Sequence, residues 1–94
     1  MWIRSKDCMF NSDMMSAIGL FGGDINAFLY MPADPGKSFK IKFNLLSSLD
    51  NDPEVAKQIY EEMEECLAHG NKFFDINLSL RQKQLEKEFK EPIP

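Results

Sequence analysis

The sequence is poor in the residues that build covalent frameworks and reactive sites. Its 94 residues include two cysteines, one histidine and one tryptophan. Cys8 and Cys66 are too few for the disulfide framework of a small secreted domain, so reduced thiols in a cytoplasmic protein are expected. No apolar run approaches the ~20 residues of a membrane-spanning helix, and no charged-then-apolar signal peptide opens the chain. These absences predict a soluble cytoplasmic protein with no membrane partner.

Positive charge is also scarce. The chain has 11 Lys and Arg residues against 15 Asp and Glu residues, a net charge of −4. Because phosphate contacts need clustered Lys and Arg, direct nucleic-acid binding through a broad basic face is not expected. The acidic excess lies in residues 50–65, where seven carboxylates accompany Lys57 for a net charge of −6.

Apolar residues, in contrast, make up 44% of the chain, which includes eight Phe. This content is typical of a folded protein and not of a disordered one. The length suits one domain with a single modest core. We therefore predict a single domain over residues 1–94, with no internal repeat.

The clearest secondary-structure signal is an amphipathic helix over residues 53–69. Asp52 can cap its free N–H groups, and Pro53 suits the first helical position, which needs no donor. Gly70 can adopt the left-handed conformation that ends a helix. Apolar residues recur between them at helical spacing: Val55, Ile59, Met63, Cys66 and Leu67, flanked by Ala56 and Tyr60. Such a stripe predicts a helix that covers a sheet.

Alternating apolar and polar residues predict strands before this helix. Residues 38–45 alternate most regularly, which indicates one face in the core and one in water. Residues 24–31 alternate too, and Gly22–Gly23 before them can close a tight hairpin. Trp2–Ser5 is β-prone. Residues 13–21 are apolar on both alternating sets, which favours a central strand but also suits a short helix.

Two patterns compete near the C-terminus. The alternation from Phe74 to Leu80 has strand spacing, whereas Ser79 and Gln82 form a capping-box pattern that opens a helix. We interpret this region as a strand over residues 72–77 followed by a helix over residues 80–90. The boundary between strand and helix stays open.

Together these patterns predict an α+β fold. An antiparallel sheet of about four or five strands would have one face covered by the helix over residues 53–69. The C-terminal helix would have few apolar residues, mainly Leu80, Leu85 and Phe89. These three residues are the candidate contacts of a homodimer formed by pairing the C-terminal helices.

The opening residues carry a resemblance to a known family. Residues 1–7, MWIRSKD, are similar to the start of small proteins from Gram-positive bacteria, their phages and mobile elements, which often begin MWIRSQD. Lys6 stands where that family usually has Gln. Its members continue with short strands, an acidic helix and a trailing strand, positions that residues 53–67 and Phe73–Ile76 fill here. The resemblance implies a phage or mobile-element accessory protein, and it implies no chemistry.

No motif predicts catalysis, a metal site or a cofactor. Pro35–Ser38 contains the Gly-Lys pair of a phosphate-binding loop, but Met31 stands where that motif needs Gly, so we interpret it as a turn. Cys66 and His69 could share a helix face as a metal or thiolate pair, yet no further ligands occur at a recognisable spacing. A last-turn His that interacts with the negative helix end is the simpler interpretation. We expect no enzymatic activity.

The candidate functional site is the acidic run Glu61, Glu62, Glu64 and Glu65. It lies in the C-terminal half of the helix, where each negative charge opposes the dipole at a cost of roughly a few tenths of a kcal/mol. The run is either a solvated face or an electrostatic patch for a protein partner with a basic surface. The functional hypothesis is a protein-binding accessory protein, for example an inhibitor that occupies the basic channel of a host defence enzyme.

The alternative function is a small-ligand module, such as one that sequesters a nucleotide. It would need a cavity lined by aromatic residues with a few basic groups. The candidate basic groups are Arg4, Lys40, Lys42 and Arg81. Separately, Tyr30 and Phe28 would mark a contact patch if both were exposed.

Overall fold

The computed structural model describes residues 1–32, 38–49 and 51–90, without the side chains of residues 32, 38, 39 and 87–90. Residues 35–37 of the segment interpreted as a turn lie outside these ranges. The strands are β1 (Trp2–Ser5), β2 (Cys8–Asn11), β3 (Ala17–Phe21), β4 (Asp24–Pro32), β5 (Ser38–Leu46) and β6 (Phe73–Asp75). The helices are α1 (Pro53–Ala68) and α2 (Ile76–Lys90), and a 3-10 turn spans Ser12–Met14.

The first sheet has the strand order β2–β1–β6 and mixes antiparallel with parallel pairing. Lys6 and Asp7 form the turn between β1 and β2, where Lys6 has a φ of +55°. Asn77 of α2 holds this turn, because its Oδ1 accepts from the Lys6 N–H at 2.7 Å and its Nδ2 donates to the Lys6 carbonyl at 2.8 Å. β6 runs parallel to β1, with Phe74 opposite Ile3. The sheet therefore joins the N-terminal strand to the strand that directly precedes α2.

The second sheet is antiparallel, with the order β3–β4–β5. A bulge interrupts β5, because Ile25 pairs with Leu46 whereas the next residue, Asn26, pairs with Asn44. The extra residue, Leu45, lets two consecutive leucines of β5 enter the core, where strict alternation would turn one of them outward.

α1 begins and ends by the signals that the sequence predicts. Asp52 Oδ1 accepts from the Val55 N–H at 2.9 Å, and Gly70 lies past the last turn with a φ of +72°. The apolar stripe of α1 faces the second sheet, and the Tyr60 hydroxyl donates to the Ile18 carbonyl on β3 at 3.2 Å. α1 therefore covers part of the inner face of that sheet, and Met31 and Ile41 on the same face are exposed.

Both sheets share one core with α1. The Ser5 hydroxyl on β1 donates to the Leu45 carbonyl on β5, which joins the two sheets directly. The buried apolar residues come from both sheets and both helices: Met1, Ile3, Ile25, Ala27, Leu45, Leu46, Ala56, Ile59, Met63, Phe74 and Ile76. The two sheets therefore pack around α1 as parts of one hydrophobic unit.

α2 begins at Ile76, four residues before the predicted start at residue 80. Asp75 caps it, with Oδ1 accepting from the Leu78 N–H at 3.0 Å. Ser79, which the capping-box pattern selects, lies inside the helix and is buried. Positions 76, 77, 79, 80 and 83 are the less exposed ones over residues 76–86, and the spacing of 76, 79, 80 and 83 is helical. The predicted strand over 72–77 shortens to Phe73–Asp75 accordingly.

The prediction of a single antiparallel sheet is wrong. The strands form two three-stranded sheets, and one of them contains a parallel pair. β2 is absent from the prediction because its residues do not alternate, and the predicted strand over 13–21 begins only at Ala17. The α+β class is confirmed, as are β4, β5, α1 and the Gly22–Gly23 turn, with element ends within one residue of the prediction.

We expect Asp75→Ala to lower the free energy of unfolding by about 1 kcal/mol, because it removes the cap of α2. For a domain of this size the melting temperature should fall by roughly 4–8 °C, measured by circular dichroism. Asp75→Asn keeps an acceptor oxygen and should retain most of the stability. Equal melting temperatures for Asp75→Ala and the wild type would contradict a helix that starts at Ile76.

Candidate protein-binding groove

The structure divides the four predicted partner-binding glutamates into two groups. Glu61, Glu64 and Glu65 are exposed on α1, whereas Glu62 is half-buried where α1 meets α2. Glu61 and Glu65 lie on the side of α1 that faces α2. Glu64 lies on the other side, beside Asp13. The acidic run is therefore not one continuous face.

Glu62 is bound by two residues of α2. Its Oε2 accepts from the Ser79 hydroxyl at 2.5 Å, and its Oε1 accepts from Lys83 Nζ at 2.5 Å. Ser79 is buried, and the Lys83 side chain is largely removed from water. Charge-assisted bonds of this kind tie α2 to α1. The sequence offers one signal for this cluster, a Ser and a Lys four residues apart, but it is informative only once the helix is known to begin at Ile76.

A groove of about 480 Å³ lies between the two helices, along β6. α1 forms one wall and α2 the other, and β6 with the preceding Asn71 forms the floor. The lining residues are Glu62, Glu65, Cys66 and His69 on the first wall, Leu78, Ser79 and Gln82 on the second, and Asn71, Phe73, Phe74 and Asp75 on the floor. The groove exists because α2 follows β6 without a loop and crosses back towards α1.

The floor of the groove is a strand edge. Within the described chain, β6 pairs with β1 on one side and is the last strand of its sheet on the other. Phe73 and Phe74 project to opposite faces of β6, yet both line the groove. A hollow that is reached from both faces of a strand runs along its edge. Backbone N–H and C=O groups of an edge strand are available to pair with another strand.

The lining of the groove is acidic and apolar. Glu62, Glu65 and Asp75 contribute carboxylates, and the described lining contains no Lys or Arg. Phe73 is 50% exposed and Leu78 is 53% exposed. Glu62 is paired with Lys83, so Glu65 and Asp75 are the carboxylates of the lining without a Lys or Arg partner among the described residues. Large apolar side chains beside such carboxylates favour an occupant that is both apolar and basic.

Cys66 and His69, the pair considered as a metal or thiolate site, both line the groove. Among the described residues, no group of three or more His, Cys, Asp or Glu side chains could hold a metal ion. His69 is exposed, with its Nε2 3.8 Å from Glu65 Oε1. Cys66 is half-buried against the core, and Cys8 is an exposed thiol on β2.

The residues predicted as homodimer contacts lie in different environments. Leu80 packs against the core, whereas Leu85 is exposed. The side chain of Phe89 lies outside the described residues. A homodimer through α2 stays a prediction, and Leu80 already has packing partners within its own chain.

The basic residues predicted to hold a nucleotide lie on three different elements of the fold. Arg4 is exposed on the first sheet, Lys40 and Lys42 are exposed on the second, and Arg81 is exposed on α2. The described lining of the groove includes none of them. A nucleotide bound in the groove would therefore have none of these four basic groups as a described contact.

Known proteins provide no functional assignment. No protein family, curated protein or solved structure matches the chain. None of the described helices is long and apolar enough to cross a membrane. The functional assignment depends on the geometry of the groove.

We expect Glu62→Lys to lower the free energy of unfolding by about 2 kcal/mol, because it places a like charge beside the largely buried Lys83. Glu61→Lys makes the same charge change at an exposed position and should stay within about 0.5 kcal/mol of the wild type. Urea unfolding measures both. Adding Lys83→Glu to Glu62→Lys should restore part of the loss. If both single variants unfold at the same urea concentration, Glu62 has no structural role.

Proposed function

We propose that this chain is a non-enzymatic accessory protein that binds a basic, partly apolar segment of a protein partner in the groove between α1 and α2. The observation that carries this proposal is the lining of the groove. It combines carboxylates with the exposed side chains of Phe73 and Leu78, and its described part has no Lys or Arg. An apolar segment bearing Lys or Arg matches both properties.

The open edge of β6 suggests how the segment binds. An extended peptide can add to a sheet edge through backbone hydrogen bonds, while its alternate side chains enter separate pockets. Phe73 and Phe74 would contact alternate side chains of the bound segment. Because β6 has three residues, the backbone contributes few bonds, and side-chain contacts must supply most of the affinity.

The exposed glutamates extend the negative charge beyond the groove. Glu61 and Glu65 adjoin Glu86 of α2 in a neighbouring hollow. Charges at the rim of an interface mainly raise the association rate and select among partners, and salt screens them. Glu61 and Glu65 therefore keep the partner-binding role that we predict for the acidic run. Glu62 does not, because Ser79 and Lys83 bind it.

The resemblance of residues 1–7 gives this binding a context. A phage or mobile-element accessory protein commonly acts on a macromolecule of its host, and a basic, partly apolar segment at the channel of a host defence enzyme would present the chemistry that the groove fits. Inhibition of such an enzyme is the form of the function that we propose. The chain would inhibit the target by binding its segment in the groove, and no chemical step would be required of the chain.

Selection from a library of displayed random peptides tests the groove without a known partner. We expect the recovered peptides to alternate apolar residues with Lys or Arg. Phe73→Ser should weaken binding of a selected peptide by about 30-fold in isothermal titration, the effect of a hot-spot side chain. The double variant Glu61→Lys and Glu65→Lys should also weaken binding of the peptide, and the affinity should depend less on salt concentration.

Two variants serve as matched controls. Glu54→Lys with Glu64→Lys makes the same change in net charge at exposed positions of α1 that do not line the groove, and should leave binding nearly unchanged. Met14→Ser removes an exposed apolar side chain elsewhere. Peptides that lack Lys and Arg, or that bind Phe73→Ser as tightly as the wild type, would disprove the proposal.

A further inference from the structure

The outer face of the second sheet, turned away from α1, carries aromatic rings and lysines together. Residues that pair across antiparallel strands share a face, and the pairs here are Phe28 with Lys42 and Tyr30 with Lys40. Phe21 lies on the same face at the end of β3. Phe21 is 54% exposed and Tyr30 is 50% exposed, so two rings meet solvent on one flat surface. We call Phe21, Phe28, Tyr30, Lys40 and Lys42 the aromatic–lysine face.

Gly19 determines how the ring of Phe21 lies. A Cβ at Gly19 would come within 2.8 Å of Phe21 Cε2, so the ring rests over the glycine and along the sheet. Its neighbour is the ring of Phe28, edge to face, with centroids 5.8 Å apart. A large side chain at position 19 would force the Phe21 ring away from the sheet. Because Gly19 has no side chain, the ring of Phe21 can lie across the strand.

The lysines are placed among these rings. Lys40 Nζ lies 4.8 Å from the centroid of Phe28, a cation–π contact. Lys42 is exposed directly opposite Phe28. Lys6 reaches the same face from the first sheet, where its Nζ donates to Asn44 Oδ1 at 3.4 Å. One carboxylate, that of Asp24, lies beside this face, because Asp24 pairs with Phe21. Its Oδ1 accepts from the Ser48 N–H at 2.7 Å.

We propose that the aromatic–lysine face binds single-stranded nucleic acid. Exposed rings on a sheet can stack on unpaired bases of any sequence, and lysines beside them can contact the phosphates. Phe21 and Tyr30 are the stacking residues, and Lys40, Lys42 and Lys6 are the phosphate contacts. This site is on the opposite side of the second sheet from α1 and does not share a residue with the groove.

An acidic protein segment would also match the lysines, but it leaves the rings unexplained. Carboxylate side chains gain little from flat exposed rings, because the face of an aromatic ring is itself electronegative. Bases, in contrast, present apolar faces that stack on them. The pairing of exposed rings with cations therefore favours the nucleic acid.

The net charge of −4 is compatible with this site. The composition argues against a broad basic face, whereas this site needs three lysines, Lys40 and Lys42 on the second sheet and Lys6 reaching it from the first. The exposed glutamates of α1 lie on the far side of that sheet, across the core. At physiological ionic strength the screening length is about 8 Å, so their repulsion of a strand on the outer face is weak.

Fluorescence anisotropy with labelled oligothymidylate and oligouridylate tests the site. We expect a dissociation constant of roughly 10–100 µM at physiological salt, in the range of non-specific binding. Binding of either oligomer supports the proposal, and the comparison shows whether DNA, RNA or both are accepted. With three phosphate contacts, the logarithm of the affinity should fall with the logarithm of salt concentration with a slope of about −2.

Substitutions separate stacking from charge. Phe21→Ala and Tyr30→Ala should each weaken binding about 10-fold without changing the salt slope. Lys40→Gln and Lys42→Gln should each reduce the slope by about 0.7. Gly19→Ala keeps every ring but displaces that of Phe21, and should weaken binding by a smaller factor.

Matched controls are Trp2→Ala and Lys72→Gln, which remove an exposed ring and an exposed lysine elsewhere and should leave affinity within about twofold. Circular dichroism confirms that each variant is folded. The proposal is overturned if neither oligomer binds, or if Phe21→Ala and Tyr30→Ala bind like the wild type. It is also overturned if polyglutamate competes as strongly as the oligomers, because the face would then be a site for an acidic protein.

Discussion

The parallel pairing of β6 with β1 is the constraint on which the rest of the structure depends. It places Phe73 beside Trp2, and the Trp2 N–H donates to the Lys72 carbonyl at 2.8 Å just before the pairing begins. Ile76 enters the core directly after β6, so the chain must turn into α2 at that point. The direction of α2 then brings Ser79 and Lys83 to Glu62 and creates the groove. Asn77, one residue on, reaches the turn at Lys6.

Two surfaces of opposite character result from this arrangement. The groove is acidic and apolar, and it is open along a strand edge. The outer face of the second sheet is basic and aromatic. The core and α1 separate the groove from the outer face. A substitution in one of these surfaces should impair binding there without affecting binding at the other. A net charge of −4 conceals this division, because it sums over both sides of the molecule.

The sequence predicted α1 and the two long strands because their signals are local. A capping Asp52, a Pro at the first position and Gly70 past the last turn act within a few residues of the helix ends. The alternation in β4 and β5 likewise reflects an inward and an outward face, but the inward face is buried only in part, because Met31 and Ile41 are exposed. Tyr30 and Phe28, which would mark a contact patch if both were exposed, fall on the outward set of the same alternation; Tyr30 is exposed, whereas Phe28 is half-buried.

The candidate site was predictable only in part. The acidic run on α1 is evident from the sequence, but its division between the two sides of the helix depends on where α2 lies. The role of Glu62 required two residues from a helix whose start the capping-box pattern misplaced. Leu78 belongs to the strand-like alternation from Phe74 to Leu80, and only the packing of Ile76 shows that a helix begins between Phe73 and Leu78.

The sequence by itself determined the α+β class, the acidic helix with its apolar stripe, and the one-sided character of the β4–β5 hairpin. These features depend on hydrogen bonds and burial patterns that repeat within a few residues. Only the tertiary structure decided that the strands form two sheets, that β6 lies parallel to β1, and that α2 begins at Ile76. These features depend on contacts such as that between Lys6 and Asn77, which are 71 residues apart. No local pattern specifies such a contact, because its stability comes from the shared core that closes around it.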